Sequence, residues 1–217
     1  MTEPTVIECE DLEATIEHYK NELGYRLDMI FPADSPREAL LSEPPAFAGG
    51  VQLLRETSSI EPRFVKLVSA KPPAYAGGSD FVRGRAGMEY RDLIPGRVGG
   101  KVIASHIRLF EDGPVADYVH HHKIEFQMIY CLKGRIQVVY EDQGPPFWLE
   151  PGDCVVQPPE IRHRVLFAEG TAEVLEVTMP AEHETWVEHD MELPNETINK
   201  ARLFNGQPFV LTRHTKK

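Results

Sequence analysis

The histidines of this sequence gather in its second half at spacings that suit a metal ion. Six of the nine histidines lie between residues 106 and 183. His120 and His122 are two residues apart in a strand-like segment, so their side chains point to one face and that of His121 to the other. His163 follows a second strand-like run and a turn. Neutral imidazoles on one interior face are the commonest metal ligands, so this pattern predicts a metal site.

Two stretches around these histidines resemble the two signature motifs of the cupin superfamily. In the first, GPVADYVHHHKIEFQMIYCLKG, His120 and His122 match the His-x-His pair of the family, and Gly134 closes the motif. In the second, PGDCVVQPPEIRH, Gly152 and His163 match. The resemblance implies a small β-barrel that binds a divalent metal ion inside, with His120, His122 and His163 as ligands.

The sequence departs from the family pattern at several positions. Gln127 stands where the first motif has glutamate, and Gly113 comes one residue too early. In the second motif Pro158 matches, but Glu160 replaces the glycine and Phe167 the asparagine. By the resemblance, Gln127 takes the fourth ligand position beside the three histidines.

The fourth ligand sets the charge of the predicted site. With the amide of Gln127 and three neutral histidines, the site keeps the +2 charge of the ion and favours an anionic ligand such as an enolate, carboxylate or thiolate. Glu125 shares strand parity with Gln127 and is the alternative carboxylate, two residues off the register. Such a site suits Fe(II) first and Zn(II) second, with Ni, Cu or Mn also open.

The resemblance implies a metal-dependent cupin enzyme that acts on a small, anionic organic molecule. Three-histidine members of the superfamily include Fe(II) dioxygenases, so we expect an Fe(II)-dependent, dioxygenase-type oxidoreductase. The alternatives are a zinc-dependent cyclase, lyase or isomerase, and a non-catalytic ligand-binding cupin.

No residue is identified as a general acid or base from the sequence. If the polar face of residues 102–110 turned inward, His106 or Arg108 could anchor a substrate anion, but an ordinary solvated strand face is the preferred interpretation. The same two interpretations apply to Tyr130, Arg164 and His183, and the ordinary one is again preferred. The position of His183 after the last strand could place it at the mouth of the barrel.

The overall composition narrows the class of partner to small molecules. The formal net charge is −11, and no basic run suggests binding to nucleic acid or to an anionic membrane surface. No apolar run approaches 18 residues, and the acidic N-terminus is unlike a signal peptide. Three cysteines fit a reducing compartment, so we expect a cytoplasmic protein.

The elements that position the histidines are predicted to be strands. From Lys101 onward, short runs rich in Val, Ile and aromatic residues alternate with Gly- and Pro-containing turns, which favours a mainly β fold with a cupin (jelly-roll) barrel. The N-terminal part is predicted as a β-α-β-β-β unit, with a helix capped by Asp11 and strands at 5–9, 25–31, 39–43 and 50–56.

This N-terminal unit is similar to the start of a vicinal-oxygen-chelate (glyoxalase-like) module. The shared pattern consists of Asp11, Leu12, Thr15, Ile16, Tyr19, Leu23, Gly24 and Tyr25. That family places its first metal ligand where this chain has Pro4, which cannot ligate, so no metal site is implied here. One such unit exposes an open sheet, and it must pair with a second copy or with the barrel.

The predicted organisation has four parts. They are a half module at 1–58, a linker with edge strands at 59–100, the cupin barrel at 101–182 and a C-terminal tail at 183–217. Closed dimers are the commonest assemblies, and cupin-like barrels often pair by exchanging N-terminal strands, so we expect a homodimer.

Overall fold

A computed structural model of the chain describes residues 3–43, 64–70 and 80–214. The predicted strand at 50–56 lies outside the described residues. The chain divides into two compact units, one of Met1–Phe31 and Pro36–Pro73 and the other of Pro32–Ser35 and Ala74–Lys217.

The first unit is a small α+β module whose described elements begin in the predicted order, β-α-β-β. Its described elements are β1 (Thr5–Cys9), α1 (Leu12–Asn21), β2 (Arg26–Phe31), β3 (Glu38–Ser42) and β4 (Phe64–Ser69). Strand β4 runs parallel to β1 and antiparallel to β3, which is antiparallel to β2. The last described strand of the module therefore lies within the stretch that the sequence pattern assigned to linker and edge structure.

Alternating apolar residues explain why these segments form the module. Asp11 caps α1, because its side chain accepts a hydrogen bond from the Ala14 backbone N–H at 3.0 Å. Side chains two apart in β3 and β4 point to the same face and are buried there with the first turn of the helix. This core consists of Leu12, Ile30, Ala39, Leu41, Val65 and Leu67.

The second unit consists almost entirely of strands. In chain order they are β5 (Val82–Arg83), β6 (Glu89–Asp92), β7 (Ile103–Leu109), β8 (Gly113–Pro114), β9 (His120–His122), β10 (Phe126–Tyr140), β11 (Phe147–Leu149), β12 (Cys154–Gln157), β13 (His163–Met179), β14 (Thr185–Val187), β15 (Leu203–Phe204), β16 (Gln207–Pro208) and β17 (Val210–Thr212). A 3₁₀ turn (Arg85–Gly87) and a short helical turn, α2 (Arg97–Gly100), precede β7.

Two long strands organise the second unit. Strand β13 pairs antiparallel with β10, β7, β8 and β9. Strand β10 pairs on with β11 and β12, and β12 with β17, while β14 pairs with β9 and β6 with β7. Inward-facing residues of these strands form the core, among them Ile107, Cys131, Val138, Val155 and Val174. The fold is therefore mainly β, as the sequence pattern predicts.

Glycine is needed at two positions of this unit, at Gly134 within β10 and at Gly152 in the turn between β11 and β12. Gly134 has φ +63°, and a Cβ there would lie 2.4 Å from the carbonyl oxygen of Glu169. Gly152 has φ +94°, and a Cβ would lie 2.7 Å from the side chain of His214. Both positions thus exclude a side chain by conformation and by contact. These are the glycines that the sequence motifs single out.

Among the described residues, no helix has the length and apolar character needed to cross a membrane.

Candidate metal centre

Three buried histidines meet where β9 lies beside the start of β13. His163, the first residue of β13, pairs directly with His120 of β9, and His122 lies two residues further along β9. Each of the three offers one nitrogen, and these nitrogens lie within 4.8 Å of one another. The group is close enough to hold a single metal ion.

Strand parity separates His121 from this group. His120 and His122 are 0% and 5% exposed, whereas His121 is less buried and its Nδ1 lies 3.8 Å from a carboxylate oxygen of Glu188. Alternate residues of a strand point to opposite faces, so the middle histidine points away from its two neighbours.

Backbone carbonyls orient two of the imidazoles. The Nδ1 of His120 lies 2.8 Å from the carbonyl oxygen of Tyr118, and that of His163 lies 3.0 Å from the carbonyl oxygen of Ile161. A carbonyl only accepts, so each Nδ1 carries the proton and each Nε2 keeps its lone pair. The Nε2 of His163 lies 3.3 Å from the side-chain amide nitrogen of Gln157, which can donate to that lone pair.

The third imidazole is held by a hydroxyl. The Nδ1 of His122 lies 2.7 Å from Oγ1 of Thr185, a residue of β14 that pairs directly with it. Contacts of this kind to the far nitrogen fix the ring orientation of metal-binding histidines. The Nε2 of His120 is buried and has no hydrogen-bond partner in the described part of the chain. An orphaned nitrogen between two other imidazoles fits a metal ion.

Burial keeps these histidines neutral. Desolvation lowers the pKa of His120 and of His122 well below 6.5, and lowers the pKa of His163 to about 4. Neutral imidazole is the form that binds a metal, so the three side chains are ready to ligate at pH 7.

The predicted fourth ligand, Gln127, is buried and already has protein partners. Its Oε1 accepts a hydrogen bond from Nε2 of Gln157 at 2.6 Å, and its amide donates to the carboxylate of Glu176. Gln157 in turn accepts a hydrogen bond from the Tyr140 hydroxyl at 3.0 Å. Glu125, the alternative carboxylate, is exposed.

Glu176 is a site residue that the sequence pattern does not reveal. It lies on β13 opposite Ile129 of β10 and lines a small cavity together with His122. Burial raises its pKa to about 7. A lone glutamate in a strand of mixed polarity carries no spacing signal, which explains why it escapes sequence analysis.

A buried ion pair lies next to His120 of the triad. The guanidinium of Arg85 donates to a carboxylate oxygen of Asp117, and the other oxygen of Asp117 accepts from the Val165 backbone N–H at 3.0 Å. The carboxylate of Asp117 also lies 3.7 Å from Nδ1 of His120. Despite desolvation, the charge of Asp117 raises the pKa of Arg85, so this cation is permanent.

The cavity beside the triad is small and polar. It measures about 20 Å³, enough for one or two water-sized groups. Its lining consists of Ala33, Asp34, Arg85, Tyr90, Ile103, Ser105, His122, Glu176 and His183. The ring of His183 lies 5.2 Å from that of His122 between centroids. The loop position of His183 after β13 thus brings it to the cavity wall.

The suggested anion anchors on β7 lie on the other face of the sheet. Ser105 lines the cavity, so His106 and Arg108 point to the opposite side. The Nε2 of His106 pairs with a carboxylate oxygen of Glu173 at 2.8 Å. Neither residue lines the cavity.

One residue that departs from the second motif has an unusual backbone conformation. Glu160, which stands where the family pattern has glycine, has φ +61°. A non-glycine residue in the left-handed region costs roughly 1–2 kcal/mol. Its backbone N–H donates to the carbonyl oxygen of His122 at 3.1 Å, which helps to hold this strained position.

Comparison with protein-family models places the strands that carry this site in a known family. Residues 108–178, which include all three histidines, match the model described as Cupin domain. The chain contains a cupin domain. The prediction of a mainly β cupin fold preceded by a small α+β module is thereby confirmed. The resemblance of the N-terminal unit to vicinal-oxygen-chelate modules stays a prediction.

Several solved structures of low sequence identity are similar to part of this chain. KdgF from Halomonas sp. is 20% identical over 46% of this chain and 87% of its own, with a TM-score of 0.38. An RmlC-like cupin from Shewanella frigidimarina is 22% identical over 50% and 89%, with a TM-score of 0.39. The polyketide cyclase RemF from Streptomyces resistomycificus is 24% identical over 49% and 75%, with a TM-score of 0.40. No curated protein matches the sequence.

Proposed function

We propose that this chain is a metal-dependent cupin enzyme, an Fe(II)-dependent dioxygenase-type oxidoreductase that acts on a small organic anion. The observation that carries the proposal is the triad of His120, His122 and His163, in which buried neutral imidazoles lie within reach of one ion. Bound Fe(II) with open coordination positions would supply the activation of oxygen for oxidation of the substrate.

The ligand set in this proposal keeps the charge of the ion uncompensated. The three histidines are neutral, and Gln127, the proposed fourth ligand, is neutral as well. Its Oε1 has two lone pairs, so it could bind the metal with one and accept the hydrogen bond from Gln157 with the other. A site that keeps a +2 charge attracts an anionic substrate more strongly than one with a carboxylate ligand.

The surrounding residues would hold the site in its reactive form. Thr185 and two backbone carbonyls keep the imidazoles in one orientation, so little reorganisation is needed when the metal binds. Asp117 and Arg85 form a fixed, buried pair next to His120. Burial of the triad excludes bulk water and strengthens the electrostatic attraction between the site and an anion.

The proposal is tested by metal content and oxygen uptake. We expect the protein, loaded anaerobically with Fe(II), to bind about one ion per chain and to consume oxygen when small carboxylates, enolates or thiols are added. His120→Ala, His122→Ala and His163→Ala should each lose most of the metal, whereas the neighbouring control His121→Ala should keep it.

Two outcomes would contradict this function. Equal metal loss in all four variants would show that the triad is not the site. Retention of zinc with no oxygen uptake on any anion tested would exclude the dioxygenase and leave Lewis-acid chemistry, as in a cyclase, lyase or isomerase.

A further inference from the structure

The cavity beside the triad contains two hydrogen-bond acceptors that the protein does not satisfy. The first belongs to His183, which is 5% exposed. Its Nδ1 lies 3.3 Å from the carbonyl oxygen of Pro180, so Nδ1 carries the proton and Nε2 keeps its lone pair. This Nε2 is buried and has no partner among residues 3–43, 64–70 and 80–214. A lone pair in the wall of a cavity requires a donor from whatever fills the cavity.

The second acceptor belongs to Asp34. Its Oδ2 accepts a hydrogen bond from Nη2 of Arg97 at 2.7 Å. Its Oδ1 is buried and, within the described ranges, has no hydrogen-bond partner. Asp34 and His183 both line the cavity of about 20 Å³, so one small group can reach both.

The guanidinium of Arg85 and the hydroxyl of Tyr90, two donors in the cavity wall, are engaged elsewhere. Arg85 donates to Asp117 and to the hydroxyl of Tyr118. The hydroxyl of Tyr90 lies 3.7 Å from the sulfur of Met88. Of the other polar groups in the wall, the carboxylate of Glu176 is a third acceptor, and the hydroxyl of Ser105 can both donate and accept. The cavity therefore offers chiefly acceptors to a guest.

Carboxylates and guanidinium groups lie together in and next to the cavity wall. Two guanidinium groups, those of Arg85 and Arg97, are paired with the carboxylates of Asp117, Asp92 and Asp34. Glu176 adds a fourth carboxylate without adding a cation. These carboxylates offset the charges of the two guanidinium groups, so the side chains around the cavity do not repel an amino group.

We propose that this cavity receives a primary amino group of the substrate, with His183 and Asp34 as its hydrogen-bond acceptors. The inference rests on the proposed function and narrows it: the substrate is a small organic anion that also carries an amino group. A hydroxyl donates one hydrogen bond and leaves one acceptor unsatisfied, whereas an ammonium donates three. A water-sized space admits the amino group and little else.

Three small carboxylates that differ in one substituent test this inference. L-alanine, L-lactate and propionate carry an amino group, a hydroxyl and a hydrogen at the same carbon. Each is titrated into the full chain loaded with Co(II), and binding is followed through the visible absorption of the ion. We expect L-alanine to bind at least tenfold more tightly than L-lactate and propionate.

Two variants separate cavity binding from simple chelation of the ion by an amino acid. His183→Phe keeps the ring shape and removes the acceptor. In Asp34→Asn, the amide oxygen is drawn to Arg97, which places the NH₂ group towards the cavity as a donor. Each variant should reduce the preference for L-alanine to less than threefold, whereas His121→Phe, the control, should keep it.

The outcomes distinguish the two proposals. If the unsubstituted protein does not bind Co(II), the proposed function is wrong. If Co(II) binds but the three carboxylates bind equally, the cavity holds only water and the inference is wrong. A preference for L-lactate, or a preference for L-alanine that both variants retain in full, would also overturn it. The two variants act independently, so misfolding of one leaves the other as the test.

Discussion

At the scale of single residues, Gln127 is the proposed ligand that would determine what charge a bound metal centre carries. A glutamate at this position would place a carboxylate next to three histidines. The amide instead accepts a hydrogen bond from Gln157 and donates one to Glu176. The carboxylate of this region therefore belongs to Glu176 on the neighbouring strand β13, two positions out of register with Gln127, and it can bind a proton near pH 7.

The substitution Gln127→Glu tests this arrangement. If residue 127 reaches the metal, a new charge about 4 Å from the ion interacts with each unit of its charge by roughly 4 kcal/mol at an effective dielectric of 20. We expect tighter metal binding, by at least tenfold, and weaker binding of anions such as propionate. Competition with a calibrated chelator measures the first effect, and titration of the loaded protein measures the second.

Two companion variants complete that experiment. Gln127→Ala should weaken metal binding only modestly, because the three histidines remain. Glu125→Gln should leave metal binding unchanged, because Glu125 is exposed. If Glu125→Gln abolished metal binding instead, the register that places residue 127 at the site would be wrong. If Gln127→Glu changed stability alone, residue 127 would serve only the hydrogen-bond network.

Single residues also show what a sequence can and cannot reveal about this site. The positions of His120 and His122 follow from strand parity, a local rule that needs no tertiary structure. The contacts of Asp117 with Arg85 and of Thr185 with His122 join residues 32 and 63 positions apart. Neither Asp117 nor Thr185 stands at a distinctive sequence spacing from its partner, so only the fold brings these residues to the site.

At the scale of elements, the irregularity in the pairing of β10 with β13 limits which residue can stand at position 134. Gly134 interrupts the register of β10 against β13, where Lys133 pairs with Glu173 and Arg135 with Glu169. The skipped residues of β13 bulge towards the glycine, and its missing side chain leaves room for their backbone.

The substitution Gly134→Ala should destabilise the protein through both conformation and contact. A left-handed alanine costs about 1–2 kcal/mol, and the Cβ would also lie 2.4 Å from a backbone oxygen. Gly96→Ala is a matched control, because Gly96 has φ +76° but nothing within 4 Å of the added carbon. Urea unfolding of both variants should show a clearly larger loss for Gly134→Ala. Equal losses would mean that the surrounding backbone moves aside without cost.

Elements differ in how well the sequence predicts them. Strands β7, β10, β12 and β13 carry alternating Val, Ile and aromatic residues, and their positions follow from that pattern. The turn that holds Arg85 lies in an irregular stretch with no period, so its role in the wall of the cavity emerges only from tertiary contacts. β4 pairs in parallel with β1 across 60 residues of sequence, so its place in the first unit has no local signal.

At the scale of the whole molecule, we predict a homodimer. The face of β10 opposite Gln127 exposes Tyr130 by 37% and Leu132 by 45%, an apolar surface of the kind that symmetric interfaces cover. Multi-angle light scattering at micromolar concentration should give about twice 24.6 kDa. Leu132→Asp should shift the protein towards the monomer, whereas Ile198→Asp, at another exposed apolar position, should not. A monomer in the unsubstituted protein would contradict the prediction.

The stability of the whole metal-free protein should fall steeply in mild acid. Burial lowers the pKa values of His120, His122, His163 and His183, so below pH 6.5 the unfolded chain binds more protons than the folded one. The contribution of each histidine to the free energy of unfolding is fully present above pH 6.5. It declines by up to about 1.4 kcal/mol per pH unit as the pH falls towards the folded-state pKa. For His163 that decline extends to about pH 4.

Glu176 acts in the opposite direction, and this gives the experiment its control. Its pKa is raised from 4.5 to about 7, so between these values the folded chain holds a proton that the unfolded chain has released. Acidification from pH 7 to 5 therefore favours folding at this residue while it opposes folding at the four histidines. Urea unfolding in EDTA should show a net loss of stability over this range, and Glu176→Gln should make the loss steeper by up to about 1.4 kcal/mol per pH unit.

Added metal should raise stability at pH 7 and lose its effect in acid, because the ligating histidines must stay unprotonated. A stability that is constant from pH 7 to 5 without metal would show that the triad is already protonated or hydrated, and a slope unaffected by Glu176→Gln would show that this carboxyl group titrates outside that range.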